Sequence, residues 1–247
     1  FPIYPLCPQK QSLEVFFGQK RFVFNHFLHA RQQSYKQHQQ TLSYHECAKQ
    51  LTQLKRTPEH SWLKQALQQT LKDLDAAYQN FFAKRAKYPT FKRRKHKQSI
   101  RFPQGFRLET IDDMDILFVP KLGRVPCQLH RPVEGKLKNL TITKTKSGEY
   151  FASIQVELEM DPPPTTKTNA IGLDLGLSHL LILSDGTRIE NPRWFRETQK
   201  RIQRLHQQLS RKQKGSQNWH KARVKLAKAY EKLQRQREDF WHKQSYR

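Results

Sequence analysis

Hydrophobic residues recur at helical spacing through the first third of the chain, over residues 9–86. A first stripe repeats at i, i+3 and i+4 and predicts a helix with one apolar and one basic face. This stripe comprises Val23, Phe24, Phe27, Leu28, Ala30 and Arg31. Ser43 and Glu46 have the spacing of a capping box and predict the start of a second helix. Thr57 followed by Pro58 predicts the start of a third helix.

The predicted third helix carries a stripe of large apolar side chains: Leu63, Leu67, Leu71, Leu74, Tyr78 and Phe81. Such a stripe either packs in a hydrophobic core or offers rings for stacking on bases. Its helical spacing favours the core of a helix bundle.

The pattern changes over residues 99–160, where apolar and polar residues alternate as they do in strands. Turn signals such as Lys121–Gly123 and Lys146–Gly148 recur at intervals of about ten residues, which is typical of a small antiparallel barrel. The run Asp161–Pro164 then predicts a stiff extended linker, because three consecutive prolines favour an extended backbone.

A single acidic residue, Asp174, lies in the apolar run Ile171–Leu177. A second apolar run, Leu180–Leu183, and the turn Ser184–Gly186 follow. This pattern predicts a β-hairpin whose first strand is buried and carries a carboxylate. Burying a carboxylate costs several kcal/mol unless something positive meets it, so a metal ion or a base is expected nearby. The alternative is an ordinary Asp that caps a turn.

The stretch from Pro192 to Arg247 is strongly basic, with 17 Lys and Arg against 4 Asp and Glu. Apolar residues at helical spacing predict two helices, and Lys214–Ser216 interrupts the periodicity between them. A solvated helix face usually mixes both signs of charge. The excess of one sign therefore favours a polyanionic partner.

A second basic stretch runs from Lys84 to Arg101, and no acidic residue occurs anywhere between Ala76 and Leu108. Within it, residues 92–97 are all Lys, Arg or His. A targeting signal or a solvated loop would also account for such a run. Adjacent cations repel one another unless phosphates neutralise them, which favours contact with nucleic acid through Lys92, Arg93, Arg94 and Lys95.

Composition agrees with a nucleic-acid-binding protein. The 247 residues carry a net charge of +25, and the isoelectric point of about 10.2 with 11% aromatic residues suits phosphates and bases. Neither a signal peptide nor an apolar run of about 18 residues occurs, so no membrane association is expected. The isolated Cys7, Cys47 and Cys127 predict neither a disulfide framework nor a zinc site and favour a reducing cytoplasm.

Short motifs in family order run along nearly the whole chain. From Gly172 to Lys243 they comprise Gly172–Gly176, Ser184–Gly186, Glu190–Pro192, Leu209–Lys212, Lys214–Ser216 and Asp239–Lys243. Earlier ones are Tyr4–Pro5, Arg21–Asn25, Tyr88–Lys92 and Pro120–Gly123. In these motifs the sequence resembles the TnpB family, transposon-encoded RNA-guided nucleases related to type V CRISPR effectors.

The resemblance implies an α+β multidomain fold. It implies a helical bundle inserted into a small antiparallel, wedge-like β-barrel, followed by an incomplete RNase H-like (RuvC) α/β domain with two basic helices. The expected segments are residues 1–8 as the first barrel strand, 9–98 as the helical domain with the basic loop, 99–160 as the barrel, 161–168 as the linker and 169–247 as the nuclease part.

The resemblance also implies the chemistry. Asp174 matches the first of three catalytic carboxylates of a RuvC-type nuclease, which hydrolyses phosphodiesters with two metal ions, and Mg²⁺ is the expected ion. The other two carboxylates of the family lie beyond Arg247, so we expect a fragment lacking the C-terminal part. The later acidic residues are not assigned as metal ligands, because helix charge pairing or a strand end accounts for them: Glu190, Glu197, Glu231, Glu238 and Asp239.

The implied partners are a guide RNA and a target double-stranded DNA, and the implied location is a prokaryotic cytoplasm, at the nucleoid. The implied contacts with nucleic acid include the basic run and further residues: Arg21, Asn25, Tyr44, Gln68, Arg211, Lys212 and Lys214. Two alternatives remain. One is a guided DNA-binding repressor or transposon relic that does not cleave, and the other is a basic nucleic-acid-binding protein without a guide.

Overall fold

The computed structural model describes residues 1–60, 63, 67–95, 97–159 and 171–245, without the side chains of residues 195 and 197. The described chain is α+β and divides into two compact units. The first comprises Phe1–Thr145 and Glu149–Leu158, and the second Lys146–Gly148 and Glu159–Arg247. The expected linker, residues 161–168, lies outside the described residues.

The first unit contains three α-helices, as the periodicity predicts: α1 (Cys7–His38), α2 (Tyr44–Arg56) and α3 (Gln68–Phe82). Ser43 caps α2 as predicted, because its hydroxyl accepts the backbone N–H of Glu46 while the Glu46 carboxylate accepts the N–H of Ser43. The predicted start of the third helix at Thr57 is wrong. Pro58–His60 forms only a 3₁₀ turn, and α3 begins at Gln68, so the proline starts a turn that does not propagate.

Helix α1 spans 32 residues, about 48 Å at 1.5 Å per residue, and its two halves pack in different hydrophobic cores. Its N-terminal half contributes Leu13, Phe16 and Phe17 to a core shared with strands. Its C-terminal half packs against α2 and α3 through Val23, Phe24, Phe27 and Leu28. The predicted apolar stripes are therefore bundle core, and Tyr78 belongs to this second core.

Arg31 is the one charged residue of the first predicted stripe, and it is buried with that stripe. Its side chain is only 3% exposed, with one guanidinium nitrogen 3.0 Å from Asp75 Oδ1 and the group 5.2 Å from the centre of the Tyr78 ring. A buried guanidinium needs such partners, because an unpaired charge inside a core costs several kcal/mol.

The strands of the first unit form two antiparallel sheets. Strands β1 (Pro2–Ile3), β2 (Gln98–Phe102), β6 (Lys136–Lys144) and β7 (Tyr150–Glu157) give the order β1-β7-β6-β2. Strands β3 (Arg107–Ile111), β4 (Met114–Val119) and β5 (Gly123–Pro126) give the order β3-β4-β5.

The expected closed barrel is not formed by the described residues. The sheets are joined by a single isolated bridge, between Ile3 and Cys127, while β2 and β3 end their sheets without pairing with each other. Strand β1 has only two residues, and Pro126, next to the bridging Cys127, has no N–H to donate. The pairing between β1 and the end of β5 therefore stays short.

The second unit contains a three-stranded antiparallel sheet and two long helices. The strands are β8 (Leu173–Asp174), β9 (His179–Leu183) and β10 (Arg188–Glu190), in the order β10-β9-β8. The helices are α4 (Trp194–Ser210) and α5 (Gln217–Ser245), which pack through Ile202, Leu226 and Leu233. The predicted hairpin and helix pair are thus confirmed, whereas the RNase H-like character of this unit stays a prediction.

The predicted break between the two basic helices is also confirmed. Gly215 adopts a φ of 88°, which favours glycine, and the Ser216 hydroxyl accepts the N–H of Trp219 at the start of α5. In the part of the chain that the structure describes, no helix is long and apolar enough to cross a bilayer.

The capping box of α2 gives a test of this helix. Ser43→Ala should lower the free energy of unfolding by about 1 kcal/mol, because it leaves a helix N–H without its acceptor. Denaturant unfolding of the full chain measures the change. Ser12→Ala is the matched control, because Ser12 lies inside α1 and its hydroxyl only donates to the carbonyl of Pro8. An equal loss in both variants would contradict the role of the cap.

The same box predicts a pH dependence. The hydrogen bonds that Glu46 accepts from the backbone and hydroxyl of Ser43 lower the pKa of its carboxyl. A carboxyl with a lowered pKa in the folded state stabilises above its ordinary pKa of about 4.3, and this contribution disappears as pH falls through the lowered value. The effect of Glu46→Gln should therefore be present at neutral pH and vanish in strong acid.

Candidate nucleic-acid interface and acidic strand

The basic segment Lys84–Arg101 follows α3 and runs into β2. Near its start, Tyr88 packs against two aromatic residues of α3. The Tyr88 ring lies edge-on to Phe81 at 5.1 Å and to Tyr78 at 5.7 Å. Its hydroxyl is 3.1 Å from that of Tyr78. Burial and, to a lesser extent, this hydrogen bond raise the pKa of Tyr78 well above its usual range, so the Tyr78 hydroxyl stays protonated.

Further along this segment, Asn25 of α1 holds the backbone of Lys92 at two points. The Asn25 amide nitrogen donates to the Lys92 carbonyl at 3.0 Å, and the Lys92 N–H donates to the Asn25 carbonyl oxygen at 2.7 Å. The Lys92 ammonium lies 4.8 Å from the centre of the Phe24 ring. These contacts fix the backbone of an exposed cationic stretch to α1, a helix whose apolar side is buried.

Arg21 holds the same segment one helical turn away. Its guanidinium donates to the side-chain oxygen of Gln98, whose amide nitrogen donates to the carbonyls of Arg93 at 3.4 Å and Arg94 at 3.0 Å. Residues four apart share one helix face, so Arg21 and Asn25 act on the segment together. Sequence analysis does not single out Gln98, because a glutamine that begins a strand gives no periodic or charge signal.

The four cations predicted to contact phosphates are all exposed: Lys92, Arg93, Arg94 and Lys95. Their side chains face solvent while the backbone is fixed, which suits a phosphate-binding surface. The contacts of Arg21 and Asn25 described above do not test whether either residue also touches nucleic acid, and that expectation stays a prediction.

Tyr44 and Gln68 are the first residues of α2 and α3. The N-terminal turn of a helix carries unpaired N–H groups and a partial positive charge, both of which favour anions. Tyr44 is half-buried against the helical core, and Gln68 is exposed. Both positions are compatible with the predicted contacts.

In the second unit, Arg211 is the C-cap residue directly after α4, and Lys212 and Lys214 lie in the turn that leads to α5. All three side chains are exposed. The helices beside this turn are held together by their apolar core and by a polar contact, 2.9 Å between His206 Nε2 and the Tyr230 hydroxyl. The turn therefore presents three exposed cations between two helices that pack against each other.

An open cavity of about 790 Å³ lies within the second unit. It is lined by the aromatic Trp194, Phe240 and Trp241 and by Arg193, Arg196 and Arg237 among others. Trp194 and Phe240 meet edge to face at 5.1 Å. The surface combines apolar rings with cations.

Asp174 lies on β8, the edge strand of its sheet, opposite Ile182 of β9. The expectation of a buried strand is wrong for this chain, because Asp174 is exposed together with Leu173 at 68%, Leu175 at 72% and Leu177 at 89%. The second edge of β8 has no partner strand among the described residues. The carboxylate of Asp174 and the leucines beside it therefore all face solvent.

The residues that the structure describes do not by themselves make up a magnesium site. Among the described residues no three His, Cys, Asp or Glu side chains come together closely enough to hold an ion. Mg²⁺ is usually held by more than one carboxylate or by a carboxylate and phosphates.

Known proteins match the chain along its length. Residues 153–247 match a transposon family described as "Probable transposase" (OrfB_IS605), and residues 1–40 match its "Helix-turn-helix domain". In the structure, residues 1–40 form one strand and one helix, and the next helix begins at Tyr44.

Two relatives align with nearly all of the chain. It is 38% identical over 98% of its length to the "Putative RNA-guided DNA endonuclease InsQ" of Escherichia coli (strain K12), of which the match covers 61%. It is 33% identical over its whole length to a "Putative RNA-guided DNA endonuclease" of Streptomyces pristinaespiralis, of which the match covers 62%. The chain thus spans about three fifths of these relatives.

These matches and the ordered motifs define a transposon-encoded protein of the OrfB class. Within that class, the chain belongs to the TnpB family.

The contact between Asn25 and Lys92 can be tested directly. Asn25→Ala should speed hydrogen exchange of the Lys92 amide by about two- to tenfold, because a single hydrogen bond contributes about 0.5–1.5 kcal/mol. Amide exchange measured by NMR or mass spectrometry gives the rate. Asn139→Ala is the matched control, because the Asn139 side chain donates to the side chain of Gln155 on the neighbouring strand and does not contact the described residues of the basic segment. Unchanged exchange at Lys92 in Asn25→Ala would contradict the contact.

Proposed function

We propose that this chain forms part of an RNA-guided DNA endonuclease and that it binds a guide RNA and a target double-stranded DNA. The observation that carries the proposal is the 38% identity over 98% of the chain to a protein of that name. In such proteins base pairing reads the sequence, and the protein recognises the shape of the heteroduplex and a short flanking motif. Acting on chromosomal DNA would place it at the nucleoid, in a prokaryotic cytoplasm.

The charge distribution supports binding to phosphates. The cations of the basic segment are exposed on a backbone fixed by Asn25 and Gln98, and the helices α4 and α5 carry a large excess of Lys and Arg. Fixing these cations in the free protein lowers the ordering cost of binding, so more of the electrostatic attraction appears as affinity.

Asp174 is proposed to supply one carboxylate to a Mg²⁺ site that this chain alone does not complete. Leu173 on this edge strand and Leu175 directly after it are both exposed. Residues two apart in an extended chain point to the same face, so the two leucines form one apolar face that further chain could cover. The remaining two fifths of the relatives would supply the missing cover and the missing carboxylates. The alternative is a protein that binds guided DNA without cleaving it.

Binding to RNA should depend steeply on salt. Replacing Lys92, Arg93, Arg94 and Lys95 together with Ala should lower the slope of log affinity against log salt by about 3, since each phosphate neutralised on single strands contributes about 0.7. Filter binding or fluorescence anisotropy between about 50 and 200 mM salt gives the slope. The fold should be retained, because exposed cations contribute little to stability.

The matched control removes four exposed lysines elsewhere and the same total charge: Lys10, Lys36, Lys72 and Lys136. Its slope should change much less if the basic segment is the contact surface. An equal change in both variants would indicate that only net charge matters. An affinity that is insensitive to salt would contradict the proposal.

The role of Asp174 can be tested in a chimera that joins this chain to the unmatched C-terminal part of the Escherichia coli relative. With a guide RNA and Mg²⁺, Asp174→Asn should reduce cleavage of a labelled target duplex at least about a hundredfold, because one metal ligand stabilises the reaction by several kcal/mol. Guided binding of the duplex should remain, since phosphate affinity comes from Lys and Arg.

Asp185→Asn is the matched control, because Asp185 is exposed in the turn after β9 and accepts the N–H of Thr187. An asparagine oxygen can still accept that bond. Full cleavage by the Asp174→Asn chimera would reject Asp174 as a metal ligand. Guided binding without cleavage in the unmodified chimera would favour the alternative, a DNA-binding protein that does not cut.

A further inference from the structure

A separate cavity of about 340 Å³ lies within the first unit, between α1, α3 and the basic segment. Cavities that hold small molecules measure about 300–1000 Å³, so this one has room for a single nucleotide but not for a base pair in a duplex. The buried rings of Phe17 and Phe24 form part of its lining.

Most of the charged groups that line this cavity are cationic. Lys92, Arg93 and Lys97 come from the basic segment, and Lys20 and Arg21 come from α1. The concentration of positive charge around a partly apolar hollow suits a phosphate attached to an apolar or aromatic group.

Asp73 is the one acidic residue among the lining residues that the structure describes. Its carboxylate is held 3.1 Å from the Lys20 ammonium and 3.6 Å from the Arg101 guanidinium, and a quarter of the side chain stays exposed. A carboxylate repels phosphate but accepts hydrogen bonds from the amino groups on base edges.

We infer that the cavity takes one unstacked nucleotide of a bound nucleic acid, with its phosphate against Lys92, Arg93 and Lys97 and its amino-bearing base edge at Asp73. Unstacked bases of single strands and loops are commonly read in this way, by a pocket that contacts their edges. The inference rests on the proposed function, because it assigns one nucleotide of the nucleic acid that this function requires.

Two adjacent alanines of α3 allow a matched test in the full 247-residue chain. Ala77 lines the cavity, whereas Ala76 is exposed and does not. Ala77→Met should fill the hollow and weaken binding of guanosine monophosphate at least tenfold, while Ala76→Met should leave it unchanged. Neither substitution alters charge or removes a helix-forming residue. Thermal unfolding checks that both variants fold.

The probes separate the parts of the inference. Ribose 5-phosphate and inorganic phosphate should bind at least tenfold more weakly than guanosine monophosphate, and Asp73→Asn should reduce that difference. Comparison with deoxyguanosine monophosphate tells RNA from DNA as the source, and tighter binding of either nucleotide than of the sugar phosphate supports the site. Equal binding of nucleotide and phosphate would overturn the base contact, and equal binding by the Ala77→Met and unchanged chains would overturn the site.

Failure of this inference is distinguishable from failure of the proposed function. If the chain binds long RNA with a steep salt dependence but Ala77→Met leaves the affinity for the mononucleotide unchanged, only the cavity assignment is wrong. If neither long RNA nor the mononucleotide binds, the proposed function is wrong as well.

Discussion

The first unit depends on one helix that is shared between two hydrophobic cores. The N-terminal half of α1 packs on strands and its C-terminal half on α2 and α3, so neither core closes without it. Because α1 is continuous, the positions of Phe17 in one core and Phe24 in the other are fixed within two helical turns. Removing a large buried side chain from either half would therefore disturb both the sheets and the bundle.

The same helix organises the charged surface. Arg21 lies between the residues that serve the two cores, and Asn25 lies among those of the second. The two side chains hold the basic segment through Gln98 and the backbone of Lys92. Cations on a free loop would spread apart to reduce their repulsion, and binding would then have to order them again. Hydrogen bonds from a packed helix that fix the loop avoid this cost, and the side chains of Lys92, Arg93, Arg94 and Lys95 remain exposed.

Sequence reasoning succeeded where structure is local. Periodicity predicts α1, α4 and α5, and single residues such as Ser43 and Gly215 predict where helices begin or end.

Sequence reasoning failed where the outcome depends on partners distant in sequence. A barrel requires edge strands to pair, and the two-residue β1 with Pro126 opposite it prevents a longer ladder. Arg31 looks like a surface cation until Asp75, 44 residues later, is brought beside it. The cavity at Asp73 likewise draws on three separate elements, which no local pattern reveals.

The exposed position of Asp174 shows that cleavage and nucleic-acid binding, the two activities expected of the family, have different structural requirements. Large apolar side chains are stable when they are covered, yet Leu173 of β8 and Leu175 after it are exposed, and β8 borders its sheet. A carboxylate at such a position needs neither pairing nor metal to be tolerated, because water solvates it. The catalytic role proposed for Asp174 would therefore require further chain that covers the leucines, excludes water and brings more carboxylates to the same place. The phosphate contacts proposed for the cations would require none of this, because these side chains are already exposed on the first unit and on the α4–α5 pair. Affinity for nucleic acid can therefore exist in this chain independently of any capacity to cleave.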